Sequence, residues 1–331
     1  MESDVIVVGG GVIGLTTAIV LAESAQRVRV WSRDPAGDTT SAVAGGLCWP
    51  YRIEPEEQAV TWSLHSFHVL SELAEAPDET GVRLVAGTMA DTSGWDMGRW
   101  GESVPGLRAA RAEELPDGYE AGFHARTPLV DMRAHLPYLE RRLAAAGGVL
   151  ERRVAVSLDE AGREASFVVN CTGLGARDLV PDPDVRPVQG QLVVVENPGI
   201  DQWFVAAGGG AEETTYILPQ PYGVILGGTA REGAWDLTPD PGTAEAIVRR
   251  CARCHRGLAE ARVLEHRVGL RPFRSRVRLE VERLPGGALC VHNYGHGGAG
   301  ITVSWGCAEE AAWLIVAGGE ATRRPTGGRP G

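Results

Sequence analysis

A chain of 331 residues is long enough to bury a large core and to form two domains. Apolar residues make up 44% of it, an ordinary share for a globular protein in water. The net charge of -11 argues against a nucleic-acid-binding surface; all 32 basic residues are arginine, a compositional bias that carries no function.

Residues 5–22 carry no charge, a run long enough for a membrane helix. Gly9, Gly10, Gly11 and Gly14 interrupt it, and the acidic Glu2 and Asp4 stand where a signal peptide would be basic. The segment therefore reads as a strand over residues 5–8, a tight turn and a helix over residues 15–22. No membrane span is expected, and the cytoplasm is the expected compartment. A second strand over residues 28–31 follows, and Asp34 lies about 20 residues beyond Gly14, with Arg33 beside it. Gly9, Gly11 and Gly14 have the spacing G-x-G-x-x-G of a dinucleotide-binding turn. In that pattern the first glycine permits the turn, the second lets a pyrophosphate approach the backbone, and the third lets helix and strand pack closely. The helix N-terminus offers free N–H groups to the phosphates. Asp34 or Arg33 then faces the ribose.

Further along, TTSAVAGGLCWPY (residues 39–51) is built of small residues before an aromatic end. Gly45 and Gly46 there can lay backbone against a flat ligand, although a packed loop explains the composition as well. Residues 59–73 have apolar residues at helical spacing. In ASFVVNCTGLGARDL a buried strand over residues 167–170 precedes the turn at Thr172 and Gly173. GQLVVVE, TTYILPQ and GVILGGT are short apolar or β-branched runs between turn residues, as antiparallel strands should be.

Six cysteines are scattered, and only Cys251 and Cys254 are close. They lie in IVRRCARCHRGL, which reads as a surface helix. No second pair completes a zinc set, so the choice is between two unremarkable thiols and a local disulfide. In GLRPFRSRVRLE, Arg274, Arg276 and Arg278 alternate on one face of a strand, where they can simply be solvated, while Arg271 stands apart. VHNYGHGGAGITVSW holds His292 and His296, but no acid or cysteine at ligand spacing completes a metal site, so none is expected. Residues 302–317 read as a helix. Gly297, Gly298 and Gly300 then fall just before its N-terminus, where backbone N–H groups meet negative charge.

VVGGGVIGL, TTSAVAGGLCWPY, VVNCTGLGA, YILPQ with GVILGG, GLRPFRSRVRLE, and HNYGHGGAGIT with SWGCAEEAA occur in this order between residue 5 and about residue 315. Together they resemble the D-amino acid oxidase family of FAD enzymes. The resemblance implies an α/β fold: a Rossmann-like FAD domain from residues 1–55, 140–190 and 268–331, and a substrate domain with a large antiparallel or mixed sheet from residues 56–139 and 191–267. It implies non-covalent FAD held by Gly9, Gly11, Val12, Ile13, Gly14, Arg33 and Asp34. Thr40, Ser41, Gly45, Gly46, Leu47, Val154, Thr172 and Gly173 continue the cofactor contacts. Gly297, Gly298, Gly300, Ile301 and Thr302 would cradle the flavin ring, with Arg271 near it, and His292, Asn293 and His296 would tie the loop down. Arg271 is implied as the clamp on the substrate carboxylate, supported by the Tyr216 hydroxyl, with Gly298 on the substrate side.

The implied reaction is oxidative deamination of a neutral D-amino acid by hydride transfer from Cα to flavin N5, without an acid–base side chain. Oxygen is the second substrate, and a 2-oxo acid, ammonia and hydrogen peroxide are the products. A homodimer is left open. Glycine oxidase and D-aspartate oxidase are the related alternatives, the latter needing a further cation for which Arg231 is one residue off. A flavin dehydrogenase with a non-oxygen acceptor, or a flavin binder without catalysis, are readings of another class. Mammalian members carry tyrosines where this chain has Glu212 and Ala299, so a large lid side chain is expected to be missing. Trp49 replaces a polar residue and is expected to narrow the pocket, and the closing TGGRPG lacks the Ser-Lys-Leu peroxisomal address.

Overall fold

The structure is a computed structural model that describes residues 4–50, 53–90, 97–206 and 213–323. Tyr51, Glu212 and the closing TGGRPG lie outside the described residues. The uncharged N-terminal run divides as its glycines demand, into β1 (Asp4–Val8), α1 (Val12–Glu23) and, beyond, β2 (Arg27–Ser32). β1 is buried along Val5–Val8, which explains an apolar run without alternation. The chain continues through α2 (Thr40–Val43), α3 (Glu56–Leu73), α4 (Pro77–Thr80), β3 (Val82–Ala90), α5 (Gly98–Ser103), β4 (Arg108–Ala109) and β5 (Gly122–Val130). Then come α6 (Met132–Ala145), β6 (Val149–Arg152), α7 (Leu158–Glu164), β7 (Phe167–Asn170), α8 (Ala176–Leu179), β8 (Arg186–Val195) and β9 (Trp203–Ala206). The last third holds β10 (Glu213–Gln220), β11 (Gly223–Thr229), β12 (Arg231–Glu232), α9 (Pro241–Cys254), β13 (Val263–Arg283), β14 (Leu289–His296) and α10 (Gly300–Arg323).

All the strands join one mixed sheet in the order β4-β5-β3-β9-β10-β11-β8-β13-β14-β7-β1-β2-β6, with β12 paired to β8. From β14 to β6 the pairs are parallel. From β9 to β14 they are antiparallel. The 21-residue β13 makes the join. Its first half, through Phe273, pairs with β8, its second half, from Arg278, pairs with β14, and the register shifts between those two residues. Arg271 therefore sits at the seam between the two kinds of sheet.

α1 and α10 cover the parallel part. α3 packs on α10 so closely that a Cβ on Gly306 would fall 2.3 Å from the Trp62 Cα. The Ser66 hydroxyl accepts from the Trp305 and Gly306 amides at 3.1 and 3.0 Å, and the Trp62 indole donates to Glu310 at 2.5 Å. Boundaries drawn from sequence at 139/140, 190/191 and 267/268 fall inside α6, β8 and β13. The cause is visible in the topology: the strands of the seam run through it without a turn to mark the crossing.

Four sequence expectations need correction. α10 begins at Gly300, not at Thr302; Gly300 occupies its first turn, and the Val303 amide bonds the Ala299 carbonyl at 3.2 Å. α9 is not simply a surface helix, because Cys251 is fully buried on its inner side; Cys251 and Cys254 are both free thiols, so the local disulfide is absent. Arg274 and Arg278 are not solvated. Arg274 pairs with the buried Asp182 at 3.0 Å, and Arg278 donates to the Tyr294 hydroxyl at 2.8 Å and to Glu280 and Glu282. Trp49 is buried, stacking obliquely on Trp100 at 4.8 Å and edge-on to Trp203 at 5.5 Å, which makes it a core residue. Among the described residues no helix is long and apolar enough to cross a membrane, and no group of three or more metal-ligating side chains occurs.

Candidate active site

The glycine turn after β1 is shaped for a ligand to approach backbone. Gly9 has φ +119°, and a Cβ on Gly14 would fall 1.8 Å from the Gly9 carbonyl oxygen. α1 begins after Gly11 with no side-chain cap on its N-terminus. The Val12 amide donates to the Ser41 hydroxyl at 3.0 Å, which ties α2 to this helix end, while the amides of Ile13 and Gly14 project from the same turn. A helix N-terminus bared by glycines fits a pyrophosphate. At the end of β2, Arg33 and Asp34 form an ion pair at 2.7 Å with side chains 73% and 40% exposed. Val154 is 60% exposed just past β6.

The segment between α2 and α3 lies as a strap between strands. The Thr40 hydroxyl donates to the Leu270 carbonyl at 3.1 Å, one residue from Arg271. Gly46 has φ +87°, and a Cβ on it would fall 1.9 Å from the Val130 carbonyl; Leu47 bridges Leu129 on β5. The Gln220 amide donates to the Gly45 and Val130 carbonyls, both at 3.1 Å, and a Cβ on Gly45 would stand 4.0 Å from the Tyr216 ring. The small residues of this strap are thus required by its close approach to β5 and β10.

On the other side, the Asn170 side-chain Oδ1 accepts from the Thr172 amide and hydroxyl at 3.3 and 2.7 Å. Asn170 meets Nδ1 of His292 at 3.2 Å, and Nε2 of His292 meets Glu282 at 2.9 Å. Glu282 accepts a hydrogen bond from the Nε2–H, which leaves Nδ1 to accept from the Asn170 amide. Burial lowers the His292 pKa, with Glu282 opposing. Asn293 donates to the Thr17 hydroxyl on α1 at 3.2 Å. These two side chains do tie the loop down. His296 does not, because its buried Nε2 has no partner among the described residues, and burial pushes its pKa down to about 3. An orphaned buried nitrogen next to Gly297, together with glycine cradles that any Cβ would fill, suits a polar ligand such as the FAD ring system. Gly297 (φ +54°) donates to the Pro272 carbonyl at 2.9 Å, and Gly298 lies against the Arg271 side chain. Thr302 exchanges hydrogen bonds with the Trp49 amide and carbonyl at 3.2 and 3.1 Å; Ile301 and Ala299 are buried beside it.

Arg271 and Tyr216 meet at the seam. Arg271 is opposite Val188 on β8, and its Nη1 donates to the Thr229 carbonyl at 2.9 Å. The guanidinium lies flat over Gly190, where a Cβ would fall 2.3 to 2.5 Å from its tip. The Tyr216 ring covers Gly227 and Gly228 on β11, where a Cβ would meet it at 1.9 and 2.6 Å. Burial raises the Tyr216 pKa and a hydrogen bond from Arg271 opposes it, so the phenol stays protonated with its O–H free to donate. The partners of the guanidinium are neutral, and among the described residues no carboxylate lies within ion-pairing distance of it. A half-buried guanidinium with neutral partners can take a ligand's carboxylate. Gly190, Thr229 and the Gly227–Gly228 pair were not foreseen. A glycine within a strand-like run, as in VQGQLVV, is the signal that marks such a close approach.

The sequence model of the family described as FAD dependent oxidoreductase matches residues 4–314. The chain is 59% identical to a D-amino-acid oxidase of Streptomyces coelicolor over 95% of this chain and 97% of that protein. It is 51% identical to a D-amino-acid oxidase of Rubrobacter xylanophilus, over 94% and 95% of the two chains. In fold it matches a glycine oxidase of Geobacillus kaustophilus with TM-score 0.77 at 20% identity, over 96% and 95% of the chains. With its glycine turn after β1 and its half-buried arginine at the sheet seam, the chain belongs to the family of FAD dependent oxidoreductases.

Proposed function

We propose that the protein is a D-amino acid oxidase that deaminates neutral D-amino acids. The observation that carries this reading is the Arg271 guanidinium, half-buried at the seam and held, among the described residues, by the neutral Thr229 carbonyl and Tyr216 hydroxyl. Two of its N–H groups take the substrate carboxylate side by side, and the Tyr216 O–H adds a third bond. Gly298, beside the Arg271 stem, offers backbone to the substrate amine. With the carboxylate and amine both held, Cα is fixed in one orientation, and only one enantiomer presents its hydrogen to the cofactor. FAD, held without a covalent link by the turn at Gly9 to Gly14 and the loop at Gly297 to Thr302, would supply the two-electron oxidant for the Cα hydride, with oxygen as the final acceptor and hydrogen peroxide as product. The chain's own task is to hold the amine neutral, orient Cα and exclude water; the imine product then hydrolyses to 2-oxo acid and ammonia.

Neutral substrates are supported by Arg231, the cation that the sequence offers for a side-chain carboxylate: it is exposed on β12 and donates to the Thr243 hydroxyl at 3.0 Å. The parallel part of the sheet with α1 and α10 is taken as the FAD domain, and the antiparallel part as the substrate domain. All six thiols are unpaired, which suits a reducing compartment such as the cytoplasm.

The test is the visible spectrum of the purified protein under anaerobic conditions. D-alanine or D-methionine should bleach a bound flavin, and the L-forms should not. Arg271→Ala should retain FAD and lose on the order of a thousandfold in kcat/KM for D-alanine. A flavin that ignores D-amino acids but is bleached by glycine would move the assignment to a glycine oxidase.

A further inference from the structure

The ladder between β10 and β11 is broken in one place. Glu213 pairs with Thr229 and Tyr216 pairs with Gly227, so Thr214 and Thr215 together face the single Gly228. Such a bulge interrupts the ladder and re-aims the residues that follow it. Here the residues that leave it are the two supports of the carboxylate site: Tyr216 on β10 and, on β11, Thr229, whose carbonyl anchors Arg271.

Arg250, in the C-terminal half of α9, spans this break. Its Nη2 donates to the Gly228 carbonyl at 2.9 Å and to the Thr214 carbonyl at 3.3 Å, one from each strand. The residue is buried, and the next side chain, Cys251, rests its sulfur 3.6 Å from the Tyr216 carbonyl and 3.8 Å from that of Gly227. α9 therefore grips the bulge from behind while the Tyr216 ring and Arg271 stand in front of it.

We infer that Arg250 is a positioning residue for substrate: by stapling the two strands across the bulge, it holds the Tyr216 hydroxyl and the Thr229 carbonyl in the register that Arg271 requires. The physical argument is one of distance. An extended strand offers its carbonyls to ladder partners, and at a bulge those partners are displaced. A guanidinium that bridges the displaced carbonyls replaces them with charge-assisted bonds, which are worth more than neutral ones. Arg250 touches neither substrate nor cofactor in this reading; its effect passes through Gly228 to Thr229 and through Thr214 to Tyr216.

The inference rests on the D-amino acid reading, and the wild-type response to D-alanine tests that reading before any variant is made. The experiment compares Arg250→Met, Arg250→Gln and Arg250→Lys as holoenzymes, each also in a Tyr216→Phe background. Flavin content, KM and kcat for D-alanine are measured, together with the Kd of pyruvate, read from the perturbation of flavin absorption. Arg250→Met and Arg250→Gln should retain FAD and raise KM and the pyruvate Kd by roughly tenfold, with kcat changed by less than about twofold. Arg250→Lys, which keeps charge and donors, should recover most of the loss. In the Tyr216→Phe background the increase should shrink to about half its size in log units or less, since one of the two supports is already gone. An unchanged KM and Kd in both neutral variants would overturn the inference. So would an undiminished increase in the Tyr216→Phe background, which would place the effect elsewhere. Loss of flavin and fold in both neutral variants would assign Arg250 to global stability and overturn it equally.

Discussion

Gly190→Ala is the substitution that separates the carboxylate clamp from the rest of the molecule. A Cβ at this position would stand 2.3, 2.4 and 2.5 Å from Nη1, Nη2 and Cζ of Arg271, where ordinary contact begins at 3.4 Å. The guanidinium must therefore move by roughly 1 Å. It lies at the far end of a flexible side chain, so the backbone of β8 and β13 need not follow, and alanine is no worse than glycine within a strand. The movement breaks the 2.9 Å bond to the Thr229 carbonyl and misplaces the forked donors. A charge-assisted hydrogen bond contributes about 1.5–3 kcal/mol, and a 1 Å misplacement of a positioning group costs about a hundredfold in rate. The expected result is a loss of about 100- to 1,000-fold in kcat/KM for D-alanine, carried mainly by KM, with flavin content and Tm close to wild type. Steady-state oxygen uptake measures the first, and the flavin spectrum with thermal unfolding measures the second. A folded, yellow Gly190→Ala enzyme with kcat/KM within about twofold of wild type would refute the assignment of Arg271, because no guanidinium could remain where the carboxylate is said to bind.

Two other predictions concern cofactor and stability. Gly14→Ala would set its Cβ 1.8 Å from a backbone oxygen that cannot swing away, so the protein should lose FAD and several kcal/mol of stability; Gly37→Ala, with nothing within 4 Å, should change stability by less than about 0.5 kcal/mol. Flavin content after gel filtration and Tm report both. His135 and His296 are buried, and burial lowers their pKa from 6.5 to about 4 and to about 3. Below pH 6.5 the unfolded chain binds a proton at each while the folded chain does not, so stability should fall as pH drops, until His135 titrates near pH 4 and His296 near pH 3. Between pH 7 and pH 5 the two account for a decline on the order of 4 kcal/mol, read as Tm of the holoenzyme against pH. A flat Tm over that range would mean that one or both rings are protonated in the folded protein.

The parts of the molecule legible in its sequence are those made by neighbours along the chain. Gly9, Gly11 and Gly14 announce their turn because strand, turn and helix lie within some twenty residues, and Gly14 answers a local crowding against the Gly9 carbonyl. The same holds for the strand that ends at Asn170 and for the glycines before α10. The errors there are small and local, such as Gly300 entering the helix it was expected to precede. Where partners come from far apart, composition misleads. Arg274 and Arg278 look like a solvated stripe until Asp182 and Tyr294 arrive beneath them from other segments. Cys251 looks like one of a surface pair until α9 lays it on β10 and β11.

The sequence by itself determined that a dinucleotide turn opens the chain and that apolar runs alternate with turn residues as strands do; by resemblance it also singled out Arg271, with Tyr216, for a substrate carboxylate. It could not give the geometry by which Arg271 rests on Gly190, leans on Thr229 and meets Tyr216. Those four residues lie on β13, β8, β11 and β10, and their meeting depends on strand register. A shift of one residue in any of these pairings would turn the side chains to the opposite face. Register is chosen by the packing of whole strands and by the bulge at Gly228, which no local pattern encodes. The phosphate turn is written in the chain because its physics is local; the carboxylate site belongs to the tertiary structure because it exists only between strands.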